Sequence, residues 1–243
     1  MTAATPDGGS PPPGLRTVRV AAPTRTRVVL IRHGEATCNV AGIVGGPIGC
    51  TGLSPDGRYQ AQALRERLVD SGELADADAV YTSVLARAIE TAAIAAPGVR
   101  PGVQPVADCA LCELHPGEAD GLTWDEFGDR YGDVDFDARP DVPVAPGGES
   151  WTSFVARASG AVTRLARAHR GGLVVVVCHA GVIESTMLAF LPVERGRGRL
   201  GLPTEHTSLT EWELDGDAWR LVRYNDAGHL PRRPGGAQRR SGP

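Results

Sequence analysis

The stretch that decides the fold is Val28-Val29-Leu30-Ile31-Arg32-His33-Gly34-Glu35. Its four apolar residues, three of them β-branched, are typical of a buried strand. Arg32 and His33 follow at the carboxyl end of that strand, which is the edge where open α/β sheets bind their ligands. Gly34 allows a turn there and lets a ligand approach the backbone. The stretch therefore predicts an α/β protein with a ligand site beside His33.

A second stretch, Leu173–Gly181, repeats this arrangement. The apolar run from Leu173 to Val177 predicts a strand that is buried on both faces and hence central in a parallel sheet. His179 follows at the carboxyl end of this strand, as His33 follows the first. If the two strands are neighbours, both imidazoles point into one crevice. We therefore expect His33 and His179 to belong to a single site.

Further motifs surround these strands. A Ser-x-Leu-x-Arg-Ala-x-Glu-Thr-Ala pattern places Arg87 in the first turns of a helix predicted to begin at Ser83, where the helix dipole favours an anion. Asn39 follows the first His-Gly pair, and Pro146-Gly147-Gly148-Glu149-Ser150 precedes a long predicted helix. Together with the two histidine stretches, these motifs resemble the signature of the histidine phosphatase (phosphoglycerate mutase-like) superfamily, phosphatase branch, over residues 27–230.

The resemblance implies a fold and a set of site residues. The fold would be α/β, a three-layer α/β/α sandwich with a mostly parallel central sheet. His33 would be the catalytic nucleophile, with Arg32, Arg87 and His179 holding the phosphoryl group. Gly45 and Thr51 lie in a Gly-rich loop of the kind that brings backbone N–H groups to an anion. The full set of implied substrate-binding residues is Arg32, Gly34, Asn39, Gly45, Thr51, Arg87, His115 and Ala180.

The same resemblance assigns the catalytic acid to Glu113. Glu118 and Asp120 are alternatives, because this stretch lacks an aromatic residue that the family often has there. His115 is open to two interpretations, a pocket wall that contacts substrate or a local structural residue. A flap over the pocket would span about residues 115–147, where Trp124 and Phe127 are expected to pack within the flap first and to contact substrate second.

Composition limits the chemistry available to this chain. The 243 residues carry a net charge of −4, so no global field favours nucleic acid. All 25 basic residues are arginines, which excludes a Walker-A lysine, a Schiff-base lysine and a Ser-Lys dyad. Arginine can bind phosphate through two hydrogen bonds. We therefore expect neither a metal nor a cofactor, because arginines can neutralise the charge that Mg²⁺ neutralises elsewhere.

The five cysteines are an odd number in a long chain, which predicts free thiols and a cytoplasmic protein. Cys109 and Cys112 form a CxxC, but no second ligand pair at zinc-site spacing is obvious, so they are interpreted as small structural thiols. No apolar run approaches transmembrane length, and the first residues lack the apolar core of a secretory signal.

The domain organisation follows from the same patterns. The Pro- and Gly-rich residues 1–24 predict a disordered leader, residues 25–230 a single domain and residues 231–243 a disordered tail. Ser54 and Ser150 are each placed to cap a helix, the second of which is expected to end at about Arg170.

These features predict a metal-independent phosphatase that hydrolyses a small phosphomonoester through a phosphohistidine on His33. A neutral imidazole, with a reference pKa of about 6.5, is a competent nucleophile. One alternative is a phosphoglycerate mutase-type transfer, but the resembled mutases usually carry a longer insertion than the 66 positions between Glu113 and His179. Another alternative is a module that binds a phosphorylated ligand without catalysis. Such a module should lack His33 or the catalytic acid, whereas this chain has both His33 and Glu113.

The predicted function implies a short set of partners. The expected ligand is a small phosphorylated metabolite, with inorganic phosphate as product. Neither nucleic acid nor a membrane is expected, and the formation of a homodimer is left open.

Overall fold

The computed structural model of the protein describes residues 25–192 and 201–231. The predicted leader (1–24), almost all of the predicted tail (from residue 232) and the loop segment 193–200 lie outside the described residues. Within the described ranges, one sheet is covered by helices on both faces.

The sheet has six strands, numbered in chain order, among the described residues. Strands β1 to β6 are Arg25–Arg32, Ala79–Thr82, Val106–Ala107, Leu173–Cys178, Leu209–Asp215 and Ala218–Asp226. Their spatial order is β3-β2-β4-β1-β5-β6. The first four pair in parallel, and β5 and β6 add an antiparallel hairpin at one edge. The mostly parallel sheet expected from the sequence is confirmed.

Six helices complete the described fold. Helices α1 to α6 are Thr37–Ala41, Pro55–Ser71, Ala86–Val99, Trp124–Tyr131, Trp151–Ala168 and Ala180–Phe190. Short 3₁₀ turns lie at Cys109–Leu111 and Gly117–Ala119. In the parts of the chain that the structure covers, none of these helices has the length and apolarity that crossing a bilayer requires.

Alternating residues of the central strands enter two separate cores. Val28 and Leu30 of β1 pack with α5 and α6, around Phe154. Val29 and Ile31 face the opposite side and pack with α2 and α3. Each fully buried aliphatic side chain of this size contributes about 1.5–3 kcal/mol. Since both faces of β1 and β4 are buried, the three-layer α/β/α arrangement is confirmed.

Strands β1 and β4 are direct neighbours, as the site argument requires. Arg32 pairs with Cys178 at the end of the parallel register. The backbone N–H of His33 donates to the carbonyl of Cys178 over 2.9 Å. His33 and His179 therefore leave the sheet side by side, at the same edge.

The predicted helix starts at Ser54 and Ser150 are confirmed. Ser54 Oγ accepts a hydrogen bond from the N–H of Gly57 at 3.0 Å, and Pro55 is the first residue of α2. Ser150 Oγ accepts from the N–H of Ser153 at 3.2 Å, and α5 ends at Ala168, slightly before the predicted end.

The predicted start of α3 at Ser83 is wrong, because the helix begins at Ala86. The N–H of Ser83 donates to the carbonyl of Val177 at 3.0 Å, which extends the sheet ladder beyond β2. The Ser83 hydroxyl then accepts from the N–H of Leu85 at 3.2 Å. The bond to Val177 keeps Ser83 extended, so the helix begins later and Arg87 lies closer to its N-terminus than the sequence pattern indicates.

Residues of the predicted flap form a small apolar cluster together with Val44. Its members are Val44, Ala119, Phe127 and Ala145, with Leu122, Trp124, Tyr131, Val134 and Val144 packed around them. This cluster joins the flap to the loop after α1, and it stands beside the carboxyl ends of β1 and β4.

Candidate active site

The two histidines predicted to share a site lie against each other. The ring centroids of His33 and His179 are 5.1 Å apart, and their planes are inclined at 58°. Both side chains are buried. The site forms because two parallel strands end in register and each is followed by an imidazole.

His33 is held as a neutral imidazole with a defined tautomer. Its Nδ1 lies 2.6 Å from the carbonyl oxygen of Gly34, which can only accept, so Nδ1 carries the proton. Arg87 Nε–H donates to His33 Nε2 at 3.1 Å, which requires a lone pair on Nε2. Burial, followed by the nearby charge of Arg87, lowers the pKa of His33 well below its usual value. The Nε2 lone pair, which accepts this hydrogen bond, is the nucleophilic one.

Two buried guanidinium groups flank this nitrogen. Arg87 lies in the first turn of α3, and its Nη1 donates to the carbonyl of Gly45 at 2.6 Å. Arg32 is the last residue of β1, and its Nη1 donates to the carbonyl of Thr204. Burial lowers the pKa of Arg32 to about 10, so its guanidinium stays charged at neutral pH. The two arginines supply positive charge and N–H donors for an anion.

His179 has unused hydrogen-bonding capacity. It stands at the N-cap position of α6, and neither of its buried ring nitrogens has a hydrogen-bond partner among the described residues. Burial and the charges of Arg87 and Arg32 lower the pKa of His179 below its usual value. Since buried polar groups in native proteins are nearly always paired, a ligand or water is the expected partner. A bound phosphate would favour the protonated, donating form.

Glu113 lines the same cavity as His33. Its Oε2 accepts from the N–H of Gly181 in the first turn of α6 at 3.1 Å, and its Oε1 accepts from the N–H of Leu114 at 3.1 Å. The alternative acids lie elsewhere. Asp120 accepts from the N–H groups of Ile48 and Gly49 and does not line the cavity. Glu118 is exposed on the flap and is also absent from the cavity wall.

The cavity lined by Arg32, His33 and Arg87 has a volume of about 620 Å³, and the fully buried His179 does not itself line it. Its far wall is largely apolar and comes from the flap and the start of α5. That wall comprises Trp124, Phe127, Val134, Phe136, Val144 and Trp151. The rings of Trp124 and Phe127 pack edge to face at a centroid distance of 5.7 Å, so these residues both pack within the flap and face the cavity.

Five of the eight implied substrate-binding residues line the cavity, namely Arg32 and Arg87, described above, and three more. Asn39 does so while its Oδ1 accepts from the N–H of Ala36 at 3.1 Å. Ala180, after His179, is the second. Gly45 is the third, and a side chain on it would collide with Cys38 Sγ at 2.6 Å and approach Arg87 Nη1 at 3.1 Å. A glycine at this position therefore lets Arg87 reach its carbonyl.

The other three lie outside the cavity wall. The N–H of Gly34 donates to Thr91 Oγ1 at 3.0 Å, so this residue orients His33 rather than lining the pocket. The Thr51 hydroxyl is 2.7 Å from that of Thr37, on the far side of the Gly-rich loop. His115 contacts Glu149 and Cys109 instead, which agrees with the second of its two interpretations, a local structural residue.

The sequence reasoning missed a third imidazole. His206 lines the cavity, with its ring centroid 5.7 Å from that of His33. It precedes β5, which pairs antiparallel with β1, so the beginning of β5 lies at the edge where β1 ends. The available signal was a histidine shortly before the residues that form β5, but it stands in a loop without a recognisable pattern.

The fold and the site together define an α/β protein with a buried anion site built from imidazole and guanidinium groups. Residues 28–227 match the family model of the histidine phosphatase superfamily (branch 1). A metal-independent phosphoserine phosphatase of Arabidopsis thaliana is 34% identical over 209 residues, covering 84% of this chain and 83% of its own length. The chain belongs to the histidine phosphatase superfamily.

Other relatives agree with this membership. A protein named phosphoglycerate mutase-like protein 4, also from Arabidopsis thaliana, is 33% identical over 208 residues, covering 84% of this chain and 86% of its own. Among solved structures, Bacillus stearothermophilus YhfR matches with a TM-score of 0.71 and 32% identity, over 84% of this chain and 98% of that one.

Proposed function

We propose that this protein is a metal-independent phosphatase that hydrolyses a small phosphomonoester through a phosphohistidine on His33. The observation that carries the proposal is the neutral His33 Nε2, which lies 3.1 Å from a charged guanidinium donor and beside a second imidazole. Phosphoryl transfer requires a nucleophile and hydrogen-bond donors for an anion in one buried site.

In the first step the His33 Nε2 lone pair attacks phosphorus and the bond between phosphorus and the ester oxygen breaks. Arg32, Arg87 and His179 donate to the phosphoryl oxygens as negative charge spreads over them. Glu113, in its protonated form, gives its proton to the leaving alkoxide, a type of assistance worth about 10²–10⁴-fold. The products are an alcohol and phosphohistidine.

In the second step the roles at Glu113 reverse. Its carboxylate removes a proton from a water molecule, which attacks phosphorus while the bond to Nε2 breaks. Inorganic phosphate leaves, and His33 returns to its neutral tautomer. Gly34 supports both steps, since its carbonyl holds the Nδ1 proton throughout.

Transfer of the mutase type is the second candidate, since some relatives are named for that class. A mutase must hold a second anionic group of its substrate while the first is transferred. In the described part of the chain, the cavity beyond Arg32 and Arg87 is walled mainly by aromatic and aliphatic side chains. This wall suits an uncharged, partly apolar leaving group better than a second phosphate or carboxylate, so we favour the phosphatase.

A colourless aryl phosphate tests the proposal. Purified protein should release p-nitrophenol from p-nitrophenyl phosphate equally well with and without added Mg²⁺, and His33→Ala should be inactive. If folded wild-type protein turned over none of a panel of phosphomonoesters, the proposed activity would be wrong and only a role in binding would remain. With 3-phosphoglycerate, release of phosphate rather than formation of the 2-isomer separates the phosphatase from the mutase. The free thiols of the described chain fit the cytoplasmic setting that we propose for the enzyme.

A further inference from the structure

The turn that precedes Glu113 brings together two cysteines and a histidine. Cys109 Sγ lies 3.7 Å from Cys112 Sγ and 3.7 Å from His115 Nε2. All three potential ligand atoms lie within 4.8 Å of one another. The spacing is C-x-x-C-x-x-H. The third ligand is therefore a single histidine, not a second pair of metal ligands of the kind that zinc sites often have.

The two separations that involve Cys109 match the edges of a tetrahedral zinc site, and the third pair of ligand atoms lies within 4.8 Å. With Zn–S bonds of about 2.3 Å and Zn–N bonds of about 2.0–2.1 Å, tetrahedral angles place two sulfurs about 3.8 Å apart and sulfur and nitrogen about 3.6 Å apart. Both separations that involve Cys109 are within about 0.2 Å of these edge lengths. Thiolate and imidazole ligands in this geometry favour Zn²⁺ over Mg²⁺ or Ca²⁺, which prefer oxygen.

The histidine is oriented by a carboxylate, as metal-binding histidines usually are. His115 Nδ1 lies 3.5 Å from Glu149 Oε2, which leaves Nε2 directed toward the cysteines. Glu149 is fixed in turn, because Arg157 Nε and Nη2 bind its two oxygens at 2.7 and 2.6 Å. Its Oε2 also accepts from the backbone N–H of His115 at 2.9 Å.

The turn that carries Cys109 and Cys112 is also held by hydrogen bonds. Arg157 Nη1 donates to the carbonyls of Ala110 at 3.0 Å and Cys112 at 3.1 Å. Asp108 Oδ1 accepts from the N–H of Ala110 at 2.8 Å at the start of the 3₁₀ turn. The Ser83 hydroxyl contacts Cys112 Sγ at 3.4 Å. The guanidinium of Arg157 also offsets the charge that two thiolates would bring to this turn.

We infer that Cys109, Cys112 and His115 bind one Zn²⁺ ion, with the fourth position open to water on the exposed side of Cys109. None of the three residues lines the catalytic cavity, so the metal takes no part in phosphoryl transfer. The site instead clamps the backbone on both sides of Glu113, which lies between two of the ligands. It would thereby fix the segment that carries the proposed acid. The inference does not depend on the proposed phosphatase activity.

The test is metal titration of fully reduced, metal-free, full-length protein, first with Co²⁺ and then with Zn²⁺. We expect one Co²⁺ per chain, with the absorption of tetrahedral cobalt and a thiolate-to-cobalt charge-transfer band, both abolished by one equivalent of Zn²⁺. Cys109→Ser should lose the spectrum and weaken Zn²⁺ binding by more than 100-fold in competition with a chromophoric chelator. Glu149→Gln should weaken it by about 10- to 100-fold.

Cys109 is the residue of choice because it is exposed, so its replacement by serine leaves the core intact. The matched control is Cys38→Ser, which removes a thiol elsewhere and should retain the cobalt spectrum. Absence of the spectrum in reduced wild-type protein would overturn the inference and leave the pair to thiol–disulfide chemistry. Loss of the spectrum in Cys38→Ser with retention in Cys109→Ser would overturn it as well, because the ion would then lie at another site.

Discussion

Arg87 Nε donates a hydrogen bond to His33 Nε2 over 3.1 Å, so the proposed nucleophile and the proposed phosphate ligand are in direct contact. A permanent positive charge at this distance disfavours protonation of the imidazole. The same contact thus keeps Nε2 unprotonated and places an anion donor beside it, and the Arg87 N–H must pass from Nε2 to a phosphoryl oxygen before the lone pair attacks. Arg87 therefore has two expected effects on turnover, one on the nucleophile and one on the transferred group.

Replacement of Arg87 by lysine should greatly reduce kcat, although the positive charge is kept. Lysine cannot donate from the position of Nε while also reaching the carbonyl of Gly45, because its single ammonium lacks the fork of a guanidinium. Loss of a preorganised donor of this type costs about 10²–10³-fold in kcat. Arg220→Lys, at an exposed ion pair with Glu213, is the matched control and should change kcat less than twofold. An Arg87→Lys enzyme with wild-type kcat would contradict the assignment.

Replacement of Glu113 by glutamine should matter most for poor leaving groups. An alkyl alkoxide is a strong base and needs a proton, whereas p-nitrophenolate leaves readily without one. We expect kcat to fall about 10²–10⁴-fold with an alkyl phosphate and much less with p-nitrophenyl phosphate. Steady-state rates with both substrates check this. Glu118→Gln, on the exposed flap, should behave like wild type. A larger loss in Glu118→Gln would reassign the acid.

Stability should decrease on the acid side because the buried histidines are neutral. The pKa of His33 in the folded state lies below its unfolded value, so between the two the unfolded chain binds more protons. The free energy of unfolding therefore falls as the pH drops below about 6.5, with a slope approaching about 1.4 kcal/mol per pH unit for each such histidine.

Urea unfolding of wild type and His33→Asn over this range isolates the contribution of His33. The slope of the free energy of unfolding against pH should be smaller in His33→Asn by about 1.4 kcal/mol per pH unit. Identical slopes would show that His33 is not held neutral by the fold. Phosphate-free buffer is required, because a bound anion shifts the histidines in the opposite direction.

The apolar wall should select aromatic leaving groups. Trp124→Ala removes aromatic surface from the cavity but leaves Arg32, His33 and Arg87 in place. We expect KM for p-nitrophenyl phosphate to rise about 10-fold with little change in kcat, since this contact is equally present in the ground and transition states. KM for glycerol phosphate, which has no ring, should stay within twofold. An equal rise for both substrates would indicate that Trp124 shapes the whole site instead.

Much of the fold was predictable because its determinants are local or strongly patterned. The apolar run of β4 is buried on both faces and could only be central, which fixed its place beside β1 and the meeting of the two histidines. The cap at Ser54 and the helix bearing Arg87 likewise follow from short sequence signals. The start of α3 did not, because the bond from Ser83 to Val177 of β4 keeps Ser83 extended and overrides its capping tendency.

The remaining site residues depend on contacts between segments far apart in sequence. His206 reaches the cavity only because β5 runs antiparallel to β1, a pairing that the loop before it does not reveal. Thr51 shares a Gly-rich loop with Gly45, but the loop turns it toward Thr37. His115 is adjacent in sequence to the pocket wall, yet Glu149 and Arg157 hold it on the side of the cysteines.

Chemical trapping of the intermediate tests the central assignment most directly. Wild-type protein mixed with ³²P-labelled p-nitrophenyl phosphate and quenched in alkali should retain label on the peptide that contains His33. The label should be lost on acid treatment, since phosphohistidine is acid-labile, and should be absent from His33→Ala. An alkali-stable phosphoenzyme of wild-type yield in His33→Ala, or label on a peptide without His33, would contradict the account.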